Sequence, residues 1–153
     1  MIIENRLKEL KISIPLPPKP GAIYVPAVKS GEYIYVSGQT PKEGVNLVYK
    51  GKLGRDLSTI EGYEASKLCI LRSISALKDI ILDLDRIEKI VKLTGFVNSC
   101  EDFTEQSLVI DGASELLEQI FGESGKHARS AIGVNSLPGN AAVEIELIVK
   151  IKD

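Results

Sequence analysis

A basic and an acidic residue near the end of the chain have the types and spacing for carboxylate chemistry. Arg129 lies in the run HARSAIGVNSLP, at the mouth of a predicted short strand, and Glu144 returns on the next strand. An arginine holds a carboxylate well because its planar fork donates two parallel hydrogen bonds and stays charged. A glutamate that faces it across a cleft is able to move a proton or orient a water. The same spacing also fits an ion pair that only ties two strands together, and spacing alone does not decide between them.

Two further polar residues are candidates for chemistry. His127 is the single histidine of the chain. An imidazole beside a carboxylate clamp is able to shuttle a proton near neutral pH, whereas the simpler interpretation is an exposed loop residue after a helix. Ser37 has no histidine and aspartate at usable spacing, which argues against a serine nucleophile. At Gly38 we expect a close backbone approach or a bulge, because the following residues lack the spacing of a P-loop.

Length and composition indicate one domain without a resident metal. The chain has 153 residues, a net charge of -2 and two cysteines. Nucleic acid is an unlikely partner, because the charge leaves no basic footprint. Two cysteines and one histidine at unrelated spacing argue against a metal site. We see neither a secretion signal nor a membrane-spanning run, so we expect a cytoplasmic protein.

The elements that must position these residues alternate between strands and helices. Residues 1–21 are interpreted as an N-terminal arm with a proline-rich connector, and residues 22–153 as a single domain. The patterns predict strands at 24–28, 33–37 and 45–49, a helix at 58–82, a strand at 87–98, a helix at 104–121, and strands at 130–135 and 142–152.

The first long helix has a clear start and an expected wet face. Ser58 and Glu61 have capping-box spacing. Small and aliphatic residues at helical spacing form the face expected against a sheet. The charged residues of the opposite face are expected in solvent: Glu64, Lys67, Arg72, Lys78 and Asp79. Gly112 is expected to weaken the second helix.

The last strand alternates most regularly, and its pattern points Glu144 away from the helices. The resulting class is α+β, with two helices on one face of a mostly antiparallel sheet. The other sheet face carries apolar side chains among polar ones, so we expect oligomerisation through it: Tyr33, Tyr35, Phe96 and Ile148.

Three segments together resemble the YjgF-type reactive-intermediate deaminase (Rid) family, also known as the endoribonuclease L-PSP family. They are the run 24–31 leading into Tyr35–Gln39, the triplet Ala128–Ser130, and Leu137-Pro138 leading into Val143–Glu146. The resemblance implies a chorismate-mutase-like subunit (the bacillus type) in a homotrimer with clefts between subunits. It also implies hydrolysis of small imino acids or enamines to 2-oxo acids and ammonia, without cofactor or metal.

The resemblance also assigns roles to residues. Arg129 would grip the substrate carboxylate, and Glu144 would position or activate water. The remaining residues would line the cleft or contact substrate through the backbone: Tyr24, Ser37, Gly38, Ser130 and Ala131. Ala131 stands where the family often has cysteine, so no thiol is required there.

Other functions remain open on the sequence alone. A metabolite-binding regulatory trimer would use the same clamp without turnover. An endoribonuclease-type translation inhibitor is disfavoured by the negative charge and by the lack of an aromatic–basic stripe. For a purely structural or chaperone-like trimer, Arg129→Ala should have no effect on function.

Overall fold

The computed structural model describes residues 1–19 and 22–152. Its helices are α1 (Ile2–Glu9), α2 (Thr59–Ile81) and α3 (Gln106–Phe121). Its strands are β1 (Ala27–Ser30), β2 (Tyr33–Gln39), β3 (Lys42–Glu43), β4 (Asn46–Leu47), β5 (Ile87–Asn98), β6 (Ala128–Val134) and β7 (Val143–Ile151). The predicted α+β class is confirmed.

Five of the strands form one sheet in the order β1-β2-β7-β5-β6. Neighbouring strands in it are antiparallel except β5 and β6, which are parallel. Parallel neighbours need a crossover connection, and α3 provides it between β5 and β6. Strands β3 and β4 form a separate two-stranded hairpin.

The core lies between the sheet and the two long helices. Alternate residues of β7 are buried from Val143 to Ile151, as predicted, while Glu144 and Glu146 point to the other face. The largest fully buried side chains come from both layers, including Ile34, Ile70, Ile74, Leu77, Leu93, Ile110, Leu117, Ile145 and Leu147.

Helix α2 begins as predicted and contains one charged residue that the sequence misplaces. The amide of Glu61 donates to Ser58 Oγ at 3.2 Å, and the Glu61 carboxylate accepts from the Ser58 amide at 2.7 Å. Arg72, expected in solvent, is only 9% exposed. Its Nη1 donates to the Gly44 carbonyl at 3.3 Å, because the β3–β4 hairpin covers this side of the helix.

The N-terminal arm packs against the helices. Leu7 joins the core. The amides of Ile2 and Ile3 donate to the Asp85 carboxylate at 2.6 and 2.8 Å, and the Ser75 hydroxyl donates to the Pro15 carbonyl at 2.6 Å. The predicted connector ends in Pro20 and Gly21, which lie outside the described residues, as does Asp153.

Several predicted boundaries differ from the observed ones by a few residues, and two predicted strands differ most. The first strand begins at Ala27 instead of residue 24, because residues 22–26 turn before they reach the sheet. The strand predicted at 45–49 is instead the second half of a tight hairpin whose turn holds Gly44 at a φ of 60°. Among residues 1–19 and 22–152, no helix has the length and apolar character to cross a membrane.

Candidate functional site

An open cleft of about 410 Å³ lies between the start of β7 and the end of β2. Three of the predicted site residues line it: Tyr24, Gly38 and Glu144. The other lining residues come from the segment after β2, the β3–β4 hairpin, the segment that follows this hairpin and the turn before β7: Thr40, Lys42, Leu47, Lys50, Pro138 and Gly139. The cleft therefore holds one carboxylate and two lysines.

The Glu144 carboxylate lies directly over Gly38. A Cβ atom at residue 38 would overlap Glu144 Oε1 and lie 2.9 Å from Glu144 Cδ. The register between β2 and β7 shifts in this stretch, between Val36 and Gln39. Of the two alternatives expected at Gly38, a close backbone approach or a bulge, the register shift supports the bulge, and the group that lies against the glycine is the Glu144 side chain.

Burial raises the pKa of Glu144 above its usual value, and the neighbouring Glu146 carboxylate adds to the effect. Removing a carboxylate from water disfavours its charged form. The carboxyl therefore takes up and releases protons closer to neutral pH than an exposed glutamate. A group of this kind suits general acid–base chemistry.

Ser37 supports the cleft from behind. Its hydroxyl donates to the Val25 carbonyl at 2.7 Å, and its amide donates to the Pro26 carbonyl at 2.8 Å. These two bonds hold the segment that carries Tyr24 beside β2. Tyr24 itself is more than half exposed and lines the cleft from a bend before β1.

Arg129 lies elsewhere, on the helix side of the edge strand β6. Its Nη1 donates to Asp111 Oδ1 at 2.8 Å and to Ser114 Oγ at 3.2 Å, both on α3. Its Nη2 makes a longer bond of 3.4 Å to the Ser107 carbonyl. The arginine side chain is 23% exposed. Its ion-pair partner is thus Asp111, and not Glu144.

His127 belongs to the same network. Its Nε2 lies 2.9 Å from Ser114 Oγ, and its Nδ1 lies 2.6 Å from the Gly125 carbonyl. Burial lowers the pKa of His127, and the charges of Arg129 and Lys89 lower it further, whereas the hydrogen bond that His127 donates to the Gly125 carbonyl raises it. His127 lies in the loop between α3 and β6, as the simpler interpretation predicts, but its imidazole is half-buried and not exposed.

A single chain does not bring Arg129 and Glu144 together. Arg129 pairs in register with Leu93, whose side chain is buried under the helices. Glu144 pairs with Phe96, and three residues along a strand reverse the face. The two side chains point to opposite faces, with β5 between their strands.

The two residues that follow Arg129 divide between the faces. Ser130 points to the outer face, where Lys92 Nζ donates to its hydroxyl at 3.3 Å. Ala131 shares the face of Arg129 and packs against the core. Both lie on β6, away from the cleft at Gly38.

A larger cleft, of about 720 Å³, lies at the carboxyl ends of β5 and β6. Lys52, Arg55, Cys100, Gln106 and Asn135 are among its lining residues. Lys52 Nζ is already bound by the Asn98 side chain at 3.0 Å and by the Asn135 carbonyl. Lys52 therefore has fewer N–H donors left for a ligand than Lys42 and Lys50, which line the cleft at Gly38.

Sequence reasoning missed four polar residues of these two regions. Lys42 and Lys50 lie in the cleft, but a lysine in a loop carries no signal that separates it from a solvated one. Asp111 and Ser114 lie three residues apart and therefore share a helix face. The spacing of Asp111 and Ser114 can be read from the sequence, but the sequence does not show that strand β6 packs against this helix face.

Comparison with known proteins agrees with the fold. A family model described as "YjgF/chorismate_mutase-like, putative endoribonuclease" matches residues 5–151. "Protein TCP17" of Trypanosoma cruzi is 44% identical over 152 residues, covering 99% of this chain and 95% of that protein. A Dermatophagoides farinae protein named 2-iminobutanoate/2-iminopropanoate deaminase is 31% identical over 142 residues, covering 92% and 95%.

A solved structure extends the similarity to three dimensions. The crystal structure of a putative endoribonuclease from Shewanella oneidensis superposes on this chain with a TM-score of 0.94 at 34% identity. The superposition covers 97% of this chain and 99% of that one. Because the family model matches residues 5–151 of the 153 residues, the chain belongs to the YjgF/chorismate mutase-like family.

Proposed function

We propose that this protein hydrolyses small 2-imino acids, or the enamines in equilibrium with them, to 2-oxo acids and ammonia. The observation that carries the proposal is the half-buried Glu144 carboxylate, of raised pKa, held over Gly38 in an open cleft. The Dermatophagoides farinae relative bears the name of this activity, which supports the assignment of substrate class. The proposed cellular location is the cytoplasm.

The proposed site is completed by a second copy of the chain. Arg129 and Glu144 point to opposite sheet faces, so a clamp on one copy has to meet the carboxylate of its neighbour. The outer face exposes large apolar side chains that association would cover: Val28, Tyr33, Tyr35 and Ile132. A closed ring of three copies satisfies both needs, and the assembly proposed is a homotrimer.

Arg129 binds and orients the substrate in this account. The substrate carboxylate takes two hydrogen bonds from the guanidinium of one copy. Orientation then sets the imine carbon near Glu144 of the neighbouring copy. Tyr24, Lys42 and Lys50 line the wall and favour an anionic ligand.

Glu144 transfers protons in the hydrolysis. Its carboxylate takes a proton from water while the water oxygen bonds to the imine carbon. The resulting carboxyl returns this proton to nitrogen, which gives a carbinolamine. Glu144 then moves the remaining hydroxyl proton of the carbinolamine to nitrogen, so that the C–N bond breaks as the carbonyl forms and ammonia leaves. Imino acid and water thereby yield 2-oxo acid and ammonia. A raised pKa suits both steps, because it makes the Glu144 carboxylate a stronger base than an exposed glutamate.

The test is release of 2-oxobutanoate and ammonia from an imine generated in place by threonine dehydratase. Wild-type protein should accelerate release, and Arg129→Ala should lose at least about 100-fold in kcat/KM because the charged clamp is gone. Arg55→Ala, which removes an exposed arginine paired with Asp56, is the matched control and should keep full activity.

Two other results would change the assignment. Full activity in Arg129→Ala would remove the clamp from the mechanism. Binding of 2-oxobutanoate without any acceleration would instead favour a metabolite-binding regulatory protein, since a clamp alone serves recognition.

A further inference from the structure

The side of the Arg129 guanidinium that faces α3 is already fully engaged. Nη1 carries two hydrogens and makes two bonds, to Asp111 Oδ1 and Ser114 Oγ. Nη2 makes one long bond to the Ser107 carbonyl. Among the described residues, Nε has no acceptor and Nη2 keeps a second hydrogen. The Nε–Nη2 edge is therefore the edge open to an incoming carboxylate.

The hydrogen bonds that connect Gly125, His127, Ser114 and Arg129 each have a definite donor and acceptor. The Gly125 carbonyl only accepts, so His127 Nδ1 carries the hydrogen of that 2.6 Å bond. In the neutral ring, Nε2 is then an acceptor, and Ser114 donates its hydroxyl hydrogen to it over 2.9 Å. The Ser114 oxygen keeps its lone pairs for Arg129 Nη1. His127 thus orients Ser114, and Ser114 orients the arginine.

This direction argues against Ser114 as a nucleophile. A hydroxyl beside an imidazole resembles an activated serine. Here, however, the oxygen already accepts a hydrogen bond from a cation, which withdraws electron density.

We propose that Asp111 and Ser114 are positioning residues that hold Arg129 by Nη1 and so present its Nε–Nη2 edge to the substrate carboxylate. His127 supports them through Ser114. This proposal rests on the proposed function, in which Arg129 is the clamp. The opposing interpretation is that Asp111 competes with the substrate for the same guanidinium, and it predicts effects of opposite sign.

The sign is measurable by equilibrium binding to the intact protein. The probes are 2-oxobutanoate and its amide, which lacks the charge, in isothermal titration calorimetry. Asp111→Asn removes the charge but keeps an acceptor, whereas Asp111→Ala removes both. Positioning predicts that the Kd for 2-oxobutanoate rises about threefold in Asp111→Asn and about tenfold in Asp111→Ala, with the amide unaffected.

Two further variants distinguish a specific loss of binding from misfolding or from the general loss of a carboxylate. Ser114→Ala should weaken acid binding about threefold and keeps the test open if Asp111→Ala does not fold. Glu118→Gln is the matched control, since it removes an exposed carboxylate from the same helix and should bind as wild type does.

The outcomes separate this proposal from the proposed function. Tighter or unchanged acid binding in the Asp111 variants, or no acid binding by wild type, overturns the positioning role. If the wild type binds 2-oxobutanoate but does not turn over imines, and the variants lose binding in the predicted order, positioning is upheld and the deaminase activity is rejected.

Discussion

Glu144 owes its place to the missing side chain at residue 38. Replacing Gly38 with alanine should push the carboxylate out of its position, because the new methyl group overlaps Oε1. The displaced atoms are the far end of a flexible side chain, so stability should change little. We expect kcat/KM for imine hydrolysis to fall at least about tenfold with nearly the same thermal midpoint. Unchanged turnover would show that Glu144 does not act from this position.

The raised pKa of Glu144 has a consequence for stability. A carboxyl whose folded pKa exceeds its unfolded value of 4.5 stabilises the fold below that value. This contribution is lost as the pH rises through the folded pKa. Glu144→Gln should therefore be more stable than wild type at pH 7.5.

Thermal midpoints at one protein concentration measure this difference. Below pH 4.5 the carboxyl is protonated in folded and unfolded chains alike, so the gain of Glu144→Gln should shrink there. The same gain at pH 4 and pH 7.5 would mean that charge burial is not its cause. Turnover should be lost in the variant at every pH, because glutamine cannot accept the proton.

At the scale of elements, Gly112 is a packing residue of α3. Helix propensity alone predicts that Gly112→Ala stabilises the protein by about 1 kcal/mol. A Cβ there would overlap the Tyr63 carbonyl of α2 and lie 2.6 Å from Ser66 Oγ. We expect destabilisation of about 1–3 kcal/mol, because backbone cannot move aside as a side chain end does.

Denaturant unfolding checks the sign, with Gln119→Ala as an exposed control on the same helix. A stabilised Gly112→Ala protein would mean that the two helices separate at little cost. A destabilised one would show that α3, and with it Asp111 and Ser114, is held at a fixed distance from α2.

Elements with local signals were predictable from the sequence, and those that depend on distant neighbours were not. The Ser58–Glu61 capping box and the alternation of β7 are complete within a few residues, and both are confirmed. Arg72 has the helical position of a solvated residue, yet a hairpin some 28 residues earlier covers it. The close contact of Gly112 with α2 likewise depends on residues far away in the sequence, Tyr63 and Ser66.

At the scale of the whole molecule, strand order decides where the candidate site residues lie. Strands β6 and β7 follow each other in sequence through a short turn, which suggested neighbours. In the sheet, β5 lies between them, because α3 returns the chain parallel to β5 on its outer edge. Arg129 and Glu144 therefore lie apart within one chain, on opposite faces of the sheet, a result that no local pattern contains.

Subunit complementation tests this central claim most directly. Arg129→Ala and Glu144→Gln are each expected to be inactive, and they are co-expressed in equal amounts so that the proposed trimers assemble from the two variants at random. If each site takes Arg129 from one copy and Glu144 from its neighbour, about a quarter of the interfaces hold both intact residues. Release of 2-oxobutanoate should then recover to about a quarter of the wild-type rate. Mixed trimers without any activity, beside an active wild type, would contradict a site shared between copies.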